Sequence, residues 1–125
     1  MKKKILITGA VGFIGFYLTK FLLKKNFKVI GVDNINNYYS KKLKLGRLEI
    51  LSNFKNFFFY KKDITNQKDL EKIFVQNKPQ IVINLAAMAG VRFSIKQPKK
   101  YIKNNINSFQ NILELSNKYK VKHLV

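Results

Sequence analysis

The chain has 125 residues, enough for one domain that buries about two-thirds of its unfolded surface, and its formal charge of +19 with a pI near 10.2 invites a nucleic-acid reading. That reading is set aside: half of the chain is Lys, Asn, Ile and Phe, all with A/T-rich codons, the lysines are scattered over every expected helix end and loop, and two arginines are too few for bidentate phosphate recognition, so no specific nucleic-acid partner is expected. The lack of cysteine excludes a disulfide scaffold, and no run reads as a secretory leader or a membrane span, so a soluble cytoplasmic protein is expected.

Residues 3–8 form a short apolar run after charges, the pattern of a parallel strand covered on both faces. From Gly12 the period becomes helical over 12–25, with Phe13, Ile14, Tyr17, Leu18, Phe21 and Leu22 on one side, and Asn26 suits the left-handed residue after such a helix. Between strand and helix runs Thr8-Gly9-Ala10-Val11-Gly12-Phe13-Ile14-Gly15, three glycines at three-residue spacing. Helix-start N–H groups lack internal partners and lie at the positive end of the helix dipole. A pyrophosphate placed there is hydrogen-bonded and gains about 0.3–1 kcal/mol from the dipole alone. In such a loop Gly9 makes the tight turn, Gly12 lets the backbone approach the diphosphate, and Gly15 lets the helix pack on the strand.

Three glycines also fit an ordinary strand-to-helix turn, and the next segment narrows the choice. Residues 28–32 read as a second apolar strand ending at Asp33, an acid 18 residues past Gly15, where a carboxylate can accept both ribose hydroxyls. The same carboxylate would repel a 2′-phosphate, which favours NAD over its phosphorylated form.

A polar, aromatic loop over 34–39 leads to an expected helix over 40–52, with Leu43, Leu45, Leu48 and Leu51 near one side. The aromatic run 56–60 reads as strand three, followed by Lys62-Asp63-Ile64. Thr65 or Asn66 caps a helix to about residue 77, Pro79 ends it, and 80–86 is the fourth and most apolar strand. Pro98 opens a long helix to about residue 119, and 121–125 begins a fifth strand. Strand and helix alternate without repeat or linker. The expected fold is therefore α/β, a Rossmann-type doubly wound parallel sheet in the order 3-2-1-4-5, truncated at about the fifth strand, with ligands at the strand C-termini. The six acids show no pairing suited to acid/base work, His123 stands alone at a strand start, and no cluster has metal-ligand spacing.

These residues carry a resemblance that covers the whole chain. It resembles the N-terminal third of an extended short-chain dehydrogenase/reductase of the NAD-dependent epimerase/dehydratase family of nucleotide-sugar enzymes. The most specific parts are residues 8–15, Asp33-Asn34-Ile35-Asn36-Asn37-Tyr38-Tyr39, the stretch from Asn84-Leu85-Ala86-Ala87-Met88 through Ser94, and Pro98, Tyr101, Asn105 and Asn111-Ile112-Leu113-Glu114. Within the family, Ala89-Gly90-Val91-Arg92 with a following aromatic and serine is similar to UDP-glucuronate 4-epimerases. Glucose 4,6-dehydratases usually carry a Glu-Ser-His-Val-Asp-like segment there, and UDP-glucose 4-epimerases a Lys-Ala-Val-Gly-like one. The chain departs from the pattern at Asn37, where an acid is common, at Met88, where glutamine is common, and at Ser108, where glycine is usual.

The resemblance implies NAD as cofactor and a redox-neutral 4-epimerisation of UDP-glucuronate, with related UDP-sugar enzymes as neighbours. It implies that Gly9, Gly12 and Gly15, with the backbone of Phe13 and Ile14, hold the pyrophosphate. Asp33 and Asn34 would bind the adenosine ribose and its surroundings, Asp63 and Ile64 would flank the adenine, and Leu85, Ala86 and Ala87 would lie along the nicotinamide side. Asn105 would support the active-site end. Arg92 and Ser94 would border the sugar, Arg92 being able to pair bidentately with a uronate. Read without the resemblance, Asp63 is a helix N-terminal acid and Asn105 a solvated helix residue.

In the family a tyrosine of a Tyr-x-x-x-Lys motif takes the proton from a sugar hydroxyl while hydride passes to NAD, and the ketose then rotates before the hydride returns. Tyr38 and Lys42 have that spacing, but they follow strand two on the adenosine side, so no residue here is assigned as catalytic. The chain is thus expected to be an incomplete NAD-binding domain without the C-terminal substrate domain. It would meet nucleotide-sugar substrate only with that part supplied, and the intact family is homodimeric through the helix after Pro98. A stand-alone NAD-binding regulatory module and a basic interaction protein on the same fold are the other readings.

Overall fold

The computed structural model describes residues 2–125, and strand and helix alternate through it from the start. The elements are β1 (Lys4–Thr8), α1 (Phe13–Lys24), β2 (Lys28–Asp33), α2 (Lys41–Ser52), β3 (Phe57–Lys61), α3 (Gln67–Asn77), β4 (Ile81–Asn84), α4 (Val91–Lys96), α5 (Pro98–Tyr101), a π-helical stretch (Ile102–Asn107), α6 (Ser108–Lys118) and β5 (His123–Leu124). All strand pairs are parallel, in the expected order β3-β2-β1-β4-β5. Leu6 lies opposite Ile30 and Val82, and Thr8 opposite Val32 and Asn84. β1 is central, so its two side-chain rows are both covered, which is why it reads as a continuous apolar run.

Each face of the sheet has its own core. Leu6, Ile30, Val32 and Val82 pack with Leu70, Ile73 and Phe74 of α3 and Ile112 and Leu115 of α6. On the other face Ile5, Ile7 and Val29 meet Phe16 and Leu23 of α1 and Leu51 of α2. Caps set the helix starts: Ser40 accepts the amide of Leu43, and Asn66 that of Asp69. Asn26 is left-handed as expected, and so is Lys78, which together with Pro79 turns the chain out of α3. His123 stands exposed in β5. Among the described residues no helix is long and apolar enough to cross a membrane.

Four local expectations are corrected. The buried side of α1 is Gly15, Phe16, Thr19 and Leu23, whereas Phe13, Ile14, Tyr17 and Phe21 are 68%, 64%, 61% and 56% exposed. The helix is apolar nearly all round, so periodicity left its phase open; Gly15, lacking a Cβ, sets the phase by facing the turn. In α2, Leu43 and Leu45 point outward and Lys44 points inward, because a buried carboxylate waits for its ammonium. The β4 ladder ends at Asn84 rather than near residue 86, since the amides of Leu85 and Ala86 both turn to the Thr8 hydroxyl at 3.1 Å. Finally, the helix after Pro98 is not uniform: it passes through a π-helical stretch, and a further short helix, α4, precedes it.

Candidate functional site

A cleft lies at the C-terminal ends of the strands, lined together by Gly9, Gly12, Asp33, Asn34, Asp63, Ile64, Leu85, Ala86 and Ala87. At its floor, Gly9 has φ +66°, and a Cβ there would stand 2.9 Å from the amide nitrogen of Ala86. The Gly9 amide donates to the Val32 carbonyl at 2.8 Å, tying the turn to β2. A Cβ on Gly15 would collide with the Gly9 carbonyl, so the third glycine packs α1 against the turn itself rather than against the strand.

The start of α1 is open. Its N-cap is Gly12, no side chain caps it, and its first turn carries no acid. Among the described residues the amides of Phe13 and Ile14 meet no acceptor, while their side chains point to solvent. Uncapped amides at the positive end of a helix dipole, beside a glycine without a Cβ, form a place for an anion.

Asp33 closes β2 and is 8% exposed. Its Oδ1 accepts the amide of Ile35 at 2.9 Å, and its Oδ2 accepts that of Val11 at 3.4 Å. A carboxylate accepts about four hydrogen bonds, so sites remain for hydroxyls in the cleft. Lys44 approaches Oδ1 at 3.7 Å, donates to Asn36 Oδ1 at 3.1 Å and lies 4.7 Å from the centre of the Tyr39 ring. Sequence reasoning missed this lysine, although its spacing with Leu48 and Leu51 is that of a buried helix face. Arg47, one turn on, was missed too; its Nη1 donates to the Val11 carbonyl at 3.3 Å.

The loop after β2 is held by its own side chains. Asn34 Oδ1 takes the amide of Asn36 at 3.1 Å. Ile35, buried and β-branched, sits at φ +50°, a conformation costing about 1–3 kcal/mol that the flanking hydrogen bonds and core packing hold in place.

Across the cleft, Asp63 Oδ1 accepts from both the amide and the hydroxyl of Thr65, at 2.9 and 2.8 Å. Asn111 of α6 donates to the carbonyls of Ile64 and Thr65 at 2.9 and 3.2 Å, which anchors this loop. On the third wall the buried Thr8 hydroxyl donates to Asn84 Oδ1 at 2.6 Å while accepting the amides of Leu85 and Ala86. Asn105 grips the next backbone unit at both ends: it donates to the Met88 carbonyl at 2.9 Å and accepts the Met88 amide at 2.8 Å. It is therefore not a solvated helix residue. It projects from the π-helical stretch, where the extra residue per turn re-aims side chains.

Arg92 and Ser94 lie outside the cleft, on α4, with Arg92 exposed and the Ser94 hydroxyl donating to the Val91 carbonyl. Between α4 and the cleft is an aromatic latch. The Tyr38 hydroxyl donates to the Ala89 carbonyl and lies 2.9 Å from the Tyr101 hydroxyl, and the Phe93 ring packs 5.5 Å from Tyr38 and 6.2 Å from Tyr101. Burial, reinforced by the neighbouring Tyr38 hydroxyl, pushes the Tyr101 phenol up to about 12. Tyr38 thus reaches the segment after β4 instead of staying on the β2 side, but Lys42 remains exposed on α2, and the latch occupies the Tyr38 hydroxyl.

Residues 6–125 match the family model described as GDP-mannose 4,6 dehydratase. The chain is 51% identical over 122 residues to Protein CapI of Staphylococcus aureus, covering 98% of this chain and 36% of that protein. It is 47% identical over 120 residues to a UDP-glucuronate 4-epimerase of Thermodesulfobacterium geofontis, covering 96% of this chain and 37% of that one. The solved UDP-glucuronic acid 4-epimerase from Bacillus cereus, in complex with UDP-glucuronic acid and NAD, superposes with a TM-score of 0.82 at 39% identity, covering 90% of this chain and 36% of its own. The chain thus spans a little over a third of the length of the curated relatives it matches. With its sheet order, glycine loop and matched residues, it belongs to the GDP-mannose 4,6-dehydratase-type NAD-dependent epimerase/dehydratase family.

Proposed function

We propose that residues 1–125 are the NAD-binding Rossmann portion of a UDP-glucuronate 4-epimerase-type enzyme. One observation carries this: Gly12, the uncapped start of α1, lines the same cleft as the carboxylate of Asp33, and the amides of Phe13 and Ile14 that follow it meet no acceptor among the described residues. A dinucleotide needs that pairing of an anion seat with a hydroxyl acceptor. Gly9, Gly12 and Gly15 shape the seat, Asp33 accepts the ribose hydroxyls beside Asn34, Asp63 and Ile64 border the adenine, and Leu85, Ala86 and Ala87 wall the nicotinamide end. NAD, when bound, supplies a hydride acceptor that can return what it takes.

In this reading Arg92 and Ser94 border the sugar from α4, and none of these residues transfers the proton. Turnover of a nucleotide sugar belongs to the longer chain that the relatives have. Ile102, Ile106, Phe109 and Leu113 recur at helical spacing and are 52%, 60%, 40% and 46% exposed, which supports a homodimer built on this face. A cytoplasmic home goes with the cysteine-free composition.

Isothermal titration with NAD and NADP tests the reading. Saturable NAD binding that survives high salt, is abolished by Gly12→Val and exceeds NADP binding at least ~10-fold is expected from charge repulsion at Asp33. Equal affinity for the two, or binding that disappears as salt rises, overturns it.

A further inference from the structure

Some of the lysines scattered along the sequence are gathered in space. A parallel sheet brings the starts of all its strands to one edge, and here Lys4 opens β1, Lys28 opens β2, Lys55 lies just before β3 and Lys78 just before β4. With Lys2 they line a groove of about 600 Å³ at the end of the sheet opposite the cofactor cleft, completed by Asn26, Asn56, Phe58 and Gln80. Among the described residues no carboxylate lines it. Ion pairs among the described residues engage Lys44, Lys62, Lys72 and Lys118, and none of the five groove lysines.

Two features hold the groove open for charge. Lys28 Nζ sits 4.3 Å from the centre of the Phe58 ring, so one ammonium is fixed over an aromatic face. Asn56 donates to the carbonyls of Phe27 and Leu23 at 2.7 and 3.1 Å, and Gln80 Oε1 accepts the Lys4 amide at 3.1 Å, which orders the rim. A concave surface of one sign focuses potential, unlike the same charges spread over a convex one. Ammonium groups are compact point charges without the fork geometry of arginine, so the groove selects charge density rather than a planar anion. Lys2 Nζ donates to the Lys25 carbonyl beside the Phe27 ring, and the other four ammonium groups in one concavity match a run of linked phosphates better than a single carboxylate or sulfate.

We propose that this groove binds a linear oligophosphate, independently of the cofactor cleft. The test is titration of inorganic tripolyphosphate into the chain at about 0.15 M salt, where charges more than about 8 Å away are screened. The Lys55→Gln/Lys78→Gln pair removes two exposed groove charges; Lys99→Gln/Lys103→Gln removes two exposed charges elsewhere. The groove pair is expected to lower affinity about tenfold, as the loss of two ammonium–phosphate contacts does at this salt, and the control pair less than about twofold. Equal losses in both pairs, or binding of duplex DNA without binding of tripolyphosphate, overturn the proposal. Should the variants fold poorly, amide shifts in the wild-type chain decide. They should cluster at Asn26, Asn56 and Gln80, and clustering at residues 9–15 overturns it. An ATP arm identifies the source: equal affinity assigns a free phosphate chain, and much tighter ATP binding assigns the tail of a nucleotide.

Discussion

Thr8→Val changes one oxygen into a methyl group at a fully buried position and tests what holds the wall of the cleft formed by residues 85–87. The hydroxyl has three partners: it donates to Asn84 Oδ1 and accepts the amides of Leu85 and Ala86. Leu85 keeps a second acceptor in the Thr8 carbonyl at 3.3 Å, so the substitution orphans mainly the Ala86 amide and the Asn84 oxygen. Both lie in half-buried residues, so the loss is set at the low end of the usual range, at about 1 kcal/mol each, about 2 kcal/mol in all. Thr8→Ser is the control. It keeps the hydroxyl and removes only a buried methyl, costing about 0.8 kcal/mol. Urea unfolding reads both, and NAD titration should show weaker binding for Val than for Ser as the segment 85–87 loosens. Thr8→Val as stable as Thr8→Ser, with the same NAD affinity, would refute the view that this hydroxyl organises the wall.

Two glycines make an opposed pair. Gly15→Ala places a Cβ into the Gly9 carbonyl and should cost about 1–3 kcal/mol while weakening NAD binding. Gly46→Ala, in mid-helix with nothing within 4 Å of its added Cβ, should stabilise by about 0.5–1 kcal/mol in the same unfolding assay. Asn105→Ala removes both bonds to Met88 and should cost about 1–2 kcal/mol, with hydrogen exchange at the Met88 amide rising more than at the strand amides. The Lys118 ammonium and the Tyr119 hydroxyl on Glu71 hold its carboxyl below the usual 4.5. A lowered folded-state pKa gives stability that is present above the unfolded value and lost as pH falls through the folded one. The α3–α6 contact should therefore weaken on acidification below about pH 4.5, and Glu71→Gln should remove that part of the pH dependence of melting.

Chain-local features were legible without a structure. The helical period, the apolar runs, the glycine spacing and an acid at the end of the second strand depend on neighbours along the chain, and from them came the parallel sheet, its order and Gly9, Gly12 and Asp33; Asn34, Asp63, Ile64, Leu85, Ala86 and Ala87 came from the family resemblance, and one cleft brings all nine together. Asn66 as a helix cap and Asn26 as a left-handed stop are local in the same way.

Tertiary structure decided what depends on partners distant in sequence. The phase of α1 followed from Gly15 meeting Gly9, not from its apolar pattern, because aromatic residues lie on both of its sides. Lys44, on α2, turns inward because Asp33 at the end of β2 pairs with it, and Asn105 acts on Met88 only because a π-helical stretch re-aims it. Tyr38 crosses from the β2 loop to Ala89 for a hydrogen bond that its own neighbours do not offer. The positive charge shows the contrast most plainly. Composition alone reads as a diffuse excess of lysine, whereas parallel pairing sets the strand starts side by side and turns part of that excess into a groove. Local order is written in short-range sterics and hydrogen bonding; the position of a charge or a side-chain amide is set by which segments the sheet brings within a few ångströms.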